Sequence, residues 1–190
     1  ISWLEIGGSH AHRLRPLIEH LGLTTLVITD LDAMDSKNRS IPPARGSGLK
    51  TRNATLKGGW PAKDDLDSLL NIPAAEKIKE YPEQRFAIRV AYQCPHKVTF
   101  KGTEGEALAN TLEDALVFQN LTYFGQAKGT GLFGRFKRSI DNTSTVADLG
   151  AALYNDLDST AGKAEFALDL LEIEDPKTFQ PPLYIKEGLS

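Results

Sequence analysis

The residues best suited to chemistry in this sequence are carboxylates. In TTLVITDLDAMD, Thr24 to Asp35, an apolar run ends in Asp30 and Asp32, and Asp35 stands just behind. Two aspartates at i and i+2 beyond a strand end can turn to one side once the backbone leaves the pleat. Together they offer the hard oxygen ligands that Mg²⁺ or Mn²⁺ prefers. Carboxylates gathered at one strand end repel each other unless a cation joins them. The spacing alone leaves several readings open, because Asp-x-Asp occurs in phosphatases, phosphotransferases and nucleases, and in turns where an aspartate merely caps the next stretch of backbone.

The elements that must position these aspartates read as an α/β chain. Ser2 to Ile6 has strand character and runs into a Gly7-Gly8 turn. A helix is expected from about Ala11 to Leu21, with Leu14, Leu17, Ile18 and Leu21 on one face and Gly22 as its stop. A strand over Thr25 to Thr29 would complete a β-α-β unit with parallel strands. In such sheets ligands bind beyond the carboxyl ends of the strands, where Asp30 and Asp32 lie. Residues 36–61, rich in Lys, Arg, Gly, Ser, Asn and Pro, read as an exposed loop, either a surface insertion or a cationic arm. Lys63 to Tyr81 is expected to be helical in two pieces broken at Pro73. Arg85 to Gln93 reads as the next strand, KVTFKG as a short one, and about Gly105 to Asn120 as a helix. Thr111 to Leu171 reads as mostly helical, interrupted by a flexible basic stretch, GQAKGTGLFGRFKRS. A last helix, KAEFALDLLEI, is expected to end near Asp175-Pro176, leaving PPLYIKEGL extended. There is no internal repeat.

Composition narrows the function classes. The chain has 190 residues, 41% hydrophobic, with a formal charge of −3 and a pI near 5.8, so it is no polycation. A nucleic-acid partner would need a local basic face or metal ions that offset the carboxylates. One cysteine, Cys94, excludes an internal disulfide and a Cys-based zinc site, and fits a reducing compartment. No apolar run approaches the roughly 20 residues of a membrane span. The expectation is a soluble cytoplasmic protein without a membrane partner. The opening ISWLEIGG reads as the middle of a domain, as in a piece of a longer polypeptide.

LEIGGSHAHRLRPLIEHLGLTTLVITDLDAMD, with TRNATLK, RVAYQ, TLEDALVFQN, KAEFALDLL and PPLYIKEGL after it in order, resembles the C-terminal part of the overcoming-lysogenization-defect (OLD) nucleases. The likeness is to their second class, found beside helicase-like partners. The resemblance implies a TOPRIM fold, Rossmann-like with a mainly parallel sheet flanked by helices, and an attached helical subdomain. It places the α/β core in 1–35 and 84–120, a basic loop and helical insertion in 36–83, and a mainly helical subdomain in 121–190 that returns Lys163 to the site. It implies a DNA endonuclease using two Mg²⁺ or Mn²⁺ ions, with Ca²⁺ a non-catalytic substitute. Asp30, Asp32 and Glu113 would be catalytic metal ligands. Asp114, about 100° away on a helix, is the weaker fourth candidate. Lys163 would stabilise charge on the phosphate. The family's first metal motif, Glu-Gly-x-x-Glu, is not in this sequence; Glu5 belongs to the strand that corresponds to the family's second. An ABC-type ATPase domain on the N-terminal side, a homodimer and a helicase-like partner are also implied. No Walker motif occurs here, so the chain itself is not expected to bind nucleotide through one.

Cationic and polar residues add candidate DNA contacts. Lys37 to Lys57 and Lys128 to Arg138 form basic stretches that could grip a phosphate backbone without reading sequence, or simply keep the surface soluble. Lys128, Arg135, Lys137 and Arg138 lie in the second, with Phe133 and Phe136. His10 and His12 could contact DNA or be turn histidines; Arg52 and Asn53 could reach phosphate. Glu113, without the resemblance, could be a solvated helix residue. Two other functions compete: a non-catalytic oligomerisation or regulatory module, and a haloacid-dehalogenase-like phosphatase. The second needs Gly or Thr just after its Asp-x-Asp, where this chain has Ala33 and Met34.

Overall fold

The structure, a computed structural model, describes residues 1–6, 9–157, 162–173 and 175–190. It is a mixed α/β chain that separates into two compact units, one of Ile1–Cys94 with Tyr184–Ser190 and one of Pro95–Leu183. This division keeps 36–83 with the first aspartates and joins 95–120 to the later helices.

In the first unit a 3₁₀ turn, Ala11–Leu14, leads into helix α1, Arg15–Leu21, which stops at Gly22 in the left-handed conformation expected of a glycine cap (φ 62°). Strand β1, Thr25–Ile28, then enters the sheet. Its parallel partner is not Ser2–Ile6. That segment forms no strand and lies exposed, with Trp3 81% and Leu4 72% accessible, so the expected β-α-β unit does not form among the described residues. A segment without a partner strand gains no ladder hydrogen bonds and leaves its backbone groups to water. Instead β1 pairs in parallel with strand β5, Phe86–Ala91, from Thr25 opposite Ile88 to Ile28 opposite Ala91. Between them come a two-stranded ribbon of β2, Ala33–Met34, and β3, Lys50–Thr51, and then helices α2, Ala54–Gly58, and α3, Leu66–Leu70. Strand β4, Ile78–Tyr81, pairs antiparallel with β5, giving the order β1-β5-β4. The helix expected to reach Tyr81 is therefore a strand at its end: IKEY is short, holds β-favouring Ile78 and Tyr81, and gains a ladder from β5 that a helix would forgo.

Helix α9, Leu183–Leu189, corrects the expectation of an extended tail. Pro181 and Pro182 precede it, and proline suits the entry to a helix better than its interior. It lies so close to the sheet that a Cβ on Gly188 would come within 2.9 Å of Ala91 Cβ and 3.1 Å of Leu26 Cδ1. Arg89 Nη1 secures it by donating to the Glu187 carbonyl at 2.8 Å.

The second unit opens with a hairpin, β6 His96–Phe100 and β7 Thr103–Ala107, turning at Lys101 and Gly102, both at positive φ. That is the two-residue turn whose twist matches antiparallel strands. Strand β7 occupies the place where a helix from Gly105 was expected; the helix, α4, begins at Leu112 and runs to Gln119. Helices α5 Leu121–Gln126, α6 Gly131–Asn142, α7 Val146–Leu157 and α8 Lys163–Leu171 complete the unit. Most of the stretch read as a flexible basic break is thus helix α6. Leu132, Phe133, Phe136 and Ile140 share its buried face and offset the poor propensity of its glycines. Phe133 and Phe136 join Phe124 and Phe166 in an aromatic core with ring centroids 5.1 to 6.2 Å apart.

Candidate functional site

The carboxyl ends of β1 and β5 lie side by side, since Ile28 faces Ala91 and Thr29 N–H donates to the Ala91 carbonyl at 3.0 Å. Two residues beyond each strand come Asp30 and Gln93. The Gln93 side chain, only 1% exposed, spans the gap: its Nε2 donates to Asp30 Oδ1 and its Oε1 accepts from Leu31 N–H at 2.8 Å. One amide thereby fixes both the carboxylate and the backbone direction after it.

The rest of the Asp30–Asp32 loop is braced from β3 and α2. Asn53 caps α2, its Oδ1 accepting from Thr55 and Leu56 N–H, while its Nδ2 donates to Thr29 Oγ1 and to the Asp30 carbonyl, both at 2.7 Å. Thr51 Oγ1 donates to the Leu31 carbonyl, and Arg52 N–H to the Asp32 carbonyl at 2.9 Å. Asp32 holds a left-handed backbone, φ 49°, uncommon for a residue with a Cβ and tolerated best by Asp and Asn. Arg52 Nη2 lies 3.9 Å from Asp32 Oδ1, with its side chain 55% exposed. Asn53, expected to face phosphate, is buried and has both its carbonyl and amide engaged within the protein. It acts on Asp30 by holding the loop. Asp35 is turned to local work, accepting from Lys37 and Arg39 N–H and pairing with the Arg39 guanidinium at 2.6 Å; these hydrogen bonds hold its carboxyl below the usual range.

His12 lies beside the same region. Its N–H donates to Thr55 Oγ1 at 3.2 Å and its Nδ1 sits 3.1 Å from the Ser9 carbonyl, which is the turn arrangement. His10 is exposed, its ring 6.4 Å from that of His12.

The other carboxylates lie in the second unit. Glu113, in the first turn of α4, meets Lys163, which opens α8, at 3.0 Å between Oε1 and Nζ. The Glu113 side chain is 13% exposed and its Oε2 is buried without a hydrogen-bond partner among the described residues. Asp114 is a capping acid: it accepts from Asn110 N–H, Thr111 N–H and Thr111 Oγ1 as the reciprocal half of a Thr111 box. Burial pushes its carboxyl up to about 6 against those hydrogen bonds. Lys137 pairs with Asp141 at 2.6 Å, while Lys128 and Arg138 are exposed. Arg135 is part-buried on α6.

Gln93 and Thr51 are site residues that the sequence alone does not single out. The signal that could have found Gln93 is a polar residue at the end of an apolar strand, at the same distance from it as Asp30 from its own. Among the described residues no group of three or more His, Cys, Asp or Glu side chains is gathered as a metal cage. Asp30 and Asp32 carry oxygen ligands of the chemical kind that Mg²⁺ takes when it keeps several waters and binds substrate phosphate. No helix among those residues is long and apolar enough to cross a membrane. Comparison with protein families, with curated proteins and with solved structures returns no match for this chain.

Proposed function

We propose that this chain is the catalytic part of a divalent-metal-dependent DNA endonuclease of the TOPRIM type, as its resemblance to the OLD nucleases implies. The observation that supports the reading most is the Asp30–Asp32 loop. It ends a strand beside the carboxyl end of a parallel neighbour and is held by Gln93, Asn53, Thr51 and Arg52. A loop fixed by four partners presents carboxylates in one geometry, which catalytic ligands require and a solvated turn does not.

Asp30 and Asp32 would hold Mg²⁺ or Mn²⁺, which would supply activation of the attacking water and offset charge on the phosphoryl group. Gln93 keeps Asp30 oriented. Arg52 and the exposed cations Lys128 and Arg138 attract the phosphate backbone, making binding salt-sensitive. Lys163, 42% exposed and paired with Glu113, is the cation that the resemblance assigns to charge on the phosphate. An ATPase domain, a helicase-like partner and a homodimer belong to the same reading.

The second reading, a non-catalytic module, is favoured by the engagement of Glu113 with Lys163. Incubation with supercoiled plasmid in Mg²⁺, Mn²⁺ or EDTA separates the two. Metal-dependent nicking or linearisation that disappears in Asp30→Ala and Lys163→Ala supports the nuclease. Silence in every metal, persisting when the family's Glu-containing strand is added upstream, supports the module.

A further inference from the structure

Strand β1 is an edge strand: in the sheet order β1-β5-β4 it pairs with β5 alone among the described residues. Thr29 N–H donates to the Ala91 carbonyl while Ile28 stands opposite Ala91, so the parallel ladder turns the backbone groups of Thr25, Val27 and Thr29 toward β5. The N–H and C=O groups of Leu26 and Ile28 therefore point to the open side, where they meet no backbone partner among the described residues. Such a row of unpaired groups is a template for one more strand.

The helices on the two faces of β1 carry apolar side chains into solvent beside it. Gly188 of α9 fits against Leu26 on one face, and Leu189, the next residue, is 74% exposed. Phe86 belongs to the opposite face, in phase with Ile88 and its partner Thr25, and there the end of α1 packs, a Cβ on Gly22 lying 3.7 Å from Phe86 Cδ1. Leu17 and Leu21 of α1 are 54% and 55% exposed. An edge flanked in this way calls for a strand that is apolar on both faces. Residues 1–6, ISWLEI, have that pattern, since alternation sends Trp3 to one face and Leu4 and Ile6 to the other. In the folded chain they join no sheet, and Ile1, Trp3 and Leu4 lie in solvent. One chain thus holds both an unpaired sheet edge and a strand-like segment without a sheet.

We propose that residues 1–6 of one copy add to the open edge of β1 in a second copy, and the reverse, giving a symmetric dimer by strand exchange. Each copy gives one strand and receives one, so the exchange closes at two. Main-chain hydrogen bonds to Leu26 and Ile28 supply the ladder, and burial of Trp3 and Leu4 beside Leu17, Leu21 and Leu189 supplies the apolar driving force. The interaction is independent of the endonuclease reading and requires neither metal nor DNA.

Sedimentation of the 190-residue chain in EDTA, from about 10 μM to about 1 mM, is expected to show a monomer passing to a dimer. Over that range tryptophan emission should shift to the blue as Trp3 leaves water, Trp60 being buried from the outset. Amide exchange at Leu26 and Ile28 should slow by about tenfold or more. Trp3→Ser combined with Leu4→Ser changes two side chains that are exposed in the single copy, so this variant should melt with the parent yet stay monomeric. Leu17→Gln with Leu21→Gln, on the receiving side, should weaken the dimer by about tenfold or more and serves if the first variant does not fold. A chain that stays monomeric throughout would overturn the proposal. So would a dimer that persists in both folded variants, or one in which Leu26 and Ile28 amides exchange as fast as in the monomer. Protection of those amides in a monomer, unchanged by dilution, would put the segment on its own chain's edge and equally overturn it.

Discussion

Glu113 and Lys163, fifty positions apart in sequence, are joined by a 3.0 Å ion pair between the first turn of α4 and the first residue of α8. The carboxylate is largely buried and the ammonium is well exposed, so the two ends are unequal. Removing Lys163 strands a desolvated charge, whereas removing Glu113 releases a lysine that water can solvate. Lys163→Met should therefore destabilise by about 1 kcal/mol or more, beyond the loss in Glu113→Gln, with the exposed lysine limiting the pair's own coupling to about 1 kcal/mol. A double-mutant cycle in urea measures both quantities. Equal single losses would show that the carboxylate is not desolvated as the structure has it.

Gln93 divides structural from chemical effects at Asp30. Gln93→Leu leaves Leu31 N–H without its acceptor and should cost about 1–3 kcal/mol. Gln93→Glu keeps an oxygen for Leu31 but sets a second carboxylate against Asp30, so it should raise the Asp30 pKa and tighten divalent binding. Calorimetric titration with Mn²⁺ and thermal melts distinguish the two. A Glu variant that melts like the parent and binds Mn²⁺ no better would contradict the contact.

At Asn53 one side chain serves two elements. Asn53→Asp retains the cap of α2 but replaces the donor to Thr29 Oγ1 and the Asp30 carbonyl with an acceptor. Asn53→Ala loses both. The alanine variant should lose about 2–3 kcal/mol, summing a cap and a buried unsatisfied carbonyl. Under the proposed function, the aspartate variant should keep α2 while plasmid cleavage falls. Hydrogen exchange of Thr55 and Leu56 amides reports the cap separately from the loop.

The buried Asp114 makes stability depend on pH in a particular sense. Its carboxyl is raised to about 6 in the folded chain from an ordinary value of 3.8. Between those values the folded state holds a proton that the unfolded state has lost, so this group's contribution to stability falls as pH rises from about 4 to 6. The difference in unfolding free energy between the parent and Asp114→Asn, measured by denaturant titration across that interval, should move in that direction and level off above it. A difference that grows more favourable to the parent as pH rises would reverse the assignment.

The sequence made the central part of this arrangement legible and concealed its supports. Strands β1 and β5 could be read because alternating apolar residues end in polar punctuation, and α1 because Gly22 marks its stop. Asp30 and Asp32 stood out because two acids directly after an apolar strand are costly. β4 could not be read, because IKEY favours no state strongly and becomes a strand only beside β5. α9 was hidden for a related reason: its hold on the sheet is the close fit of Gly188 against Ala91 and Leu26. α6 reads as flexible from its glycines, while Leu132, Phe136 and Ile140, four residues apart, supply the apolar face that makes it a helix. Thr111-x-x-Asp114 carried the signature of a capping box, yet an acid beside Glu113 drew attention as a metal ligand. Gln93 carries only the weak signal of a polar residue just past an apolar strand, and the parallel register of β1 and β5 gives it meaning.

Gly188 lies against a sheet whose strands are complete by Ala91, but the whole of 95–183 is translated in between. On the ribosome the first unit therefore waits: its sheet emerges early, with Leu26 and Ala91 uncovered, and its closing helix arrives last. The second unit has every residue of its aromatic core at hand before that helix exists.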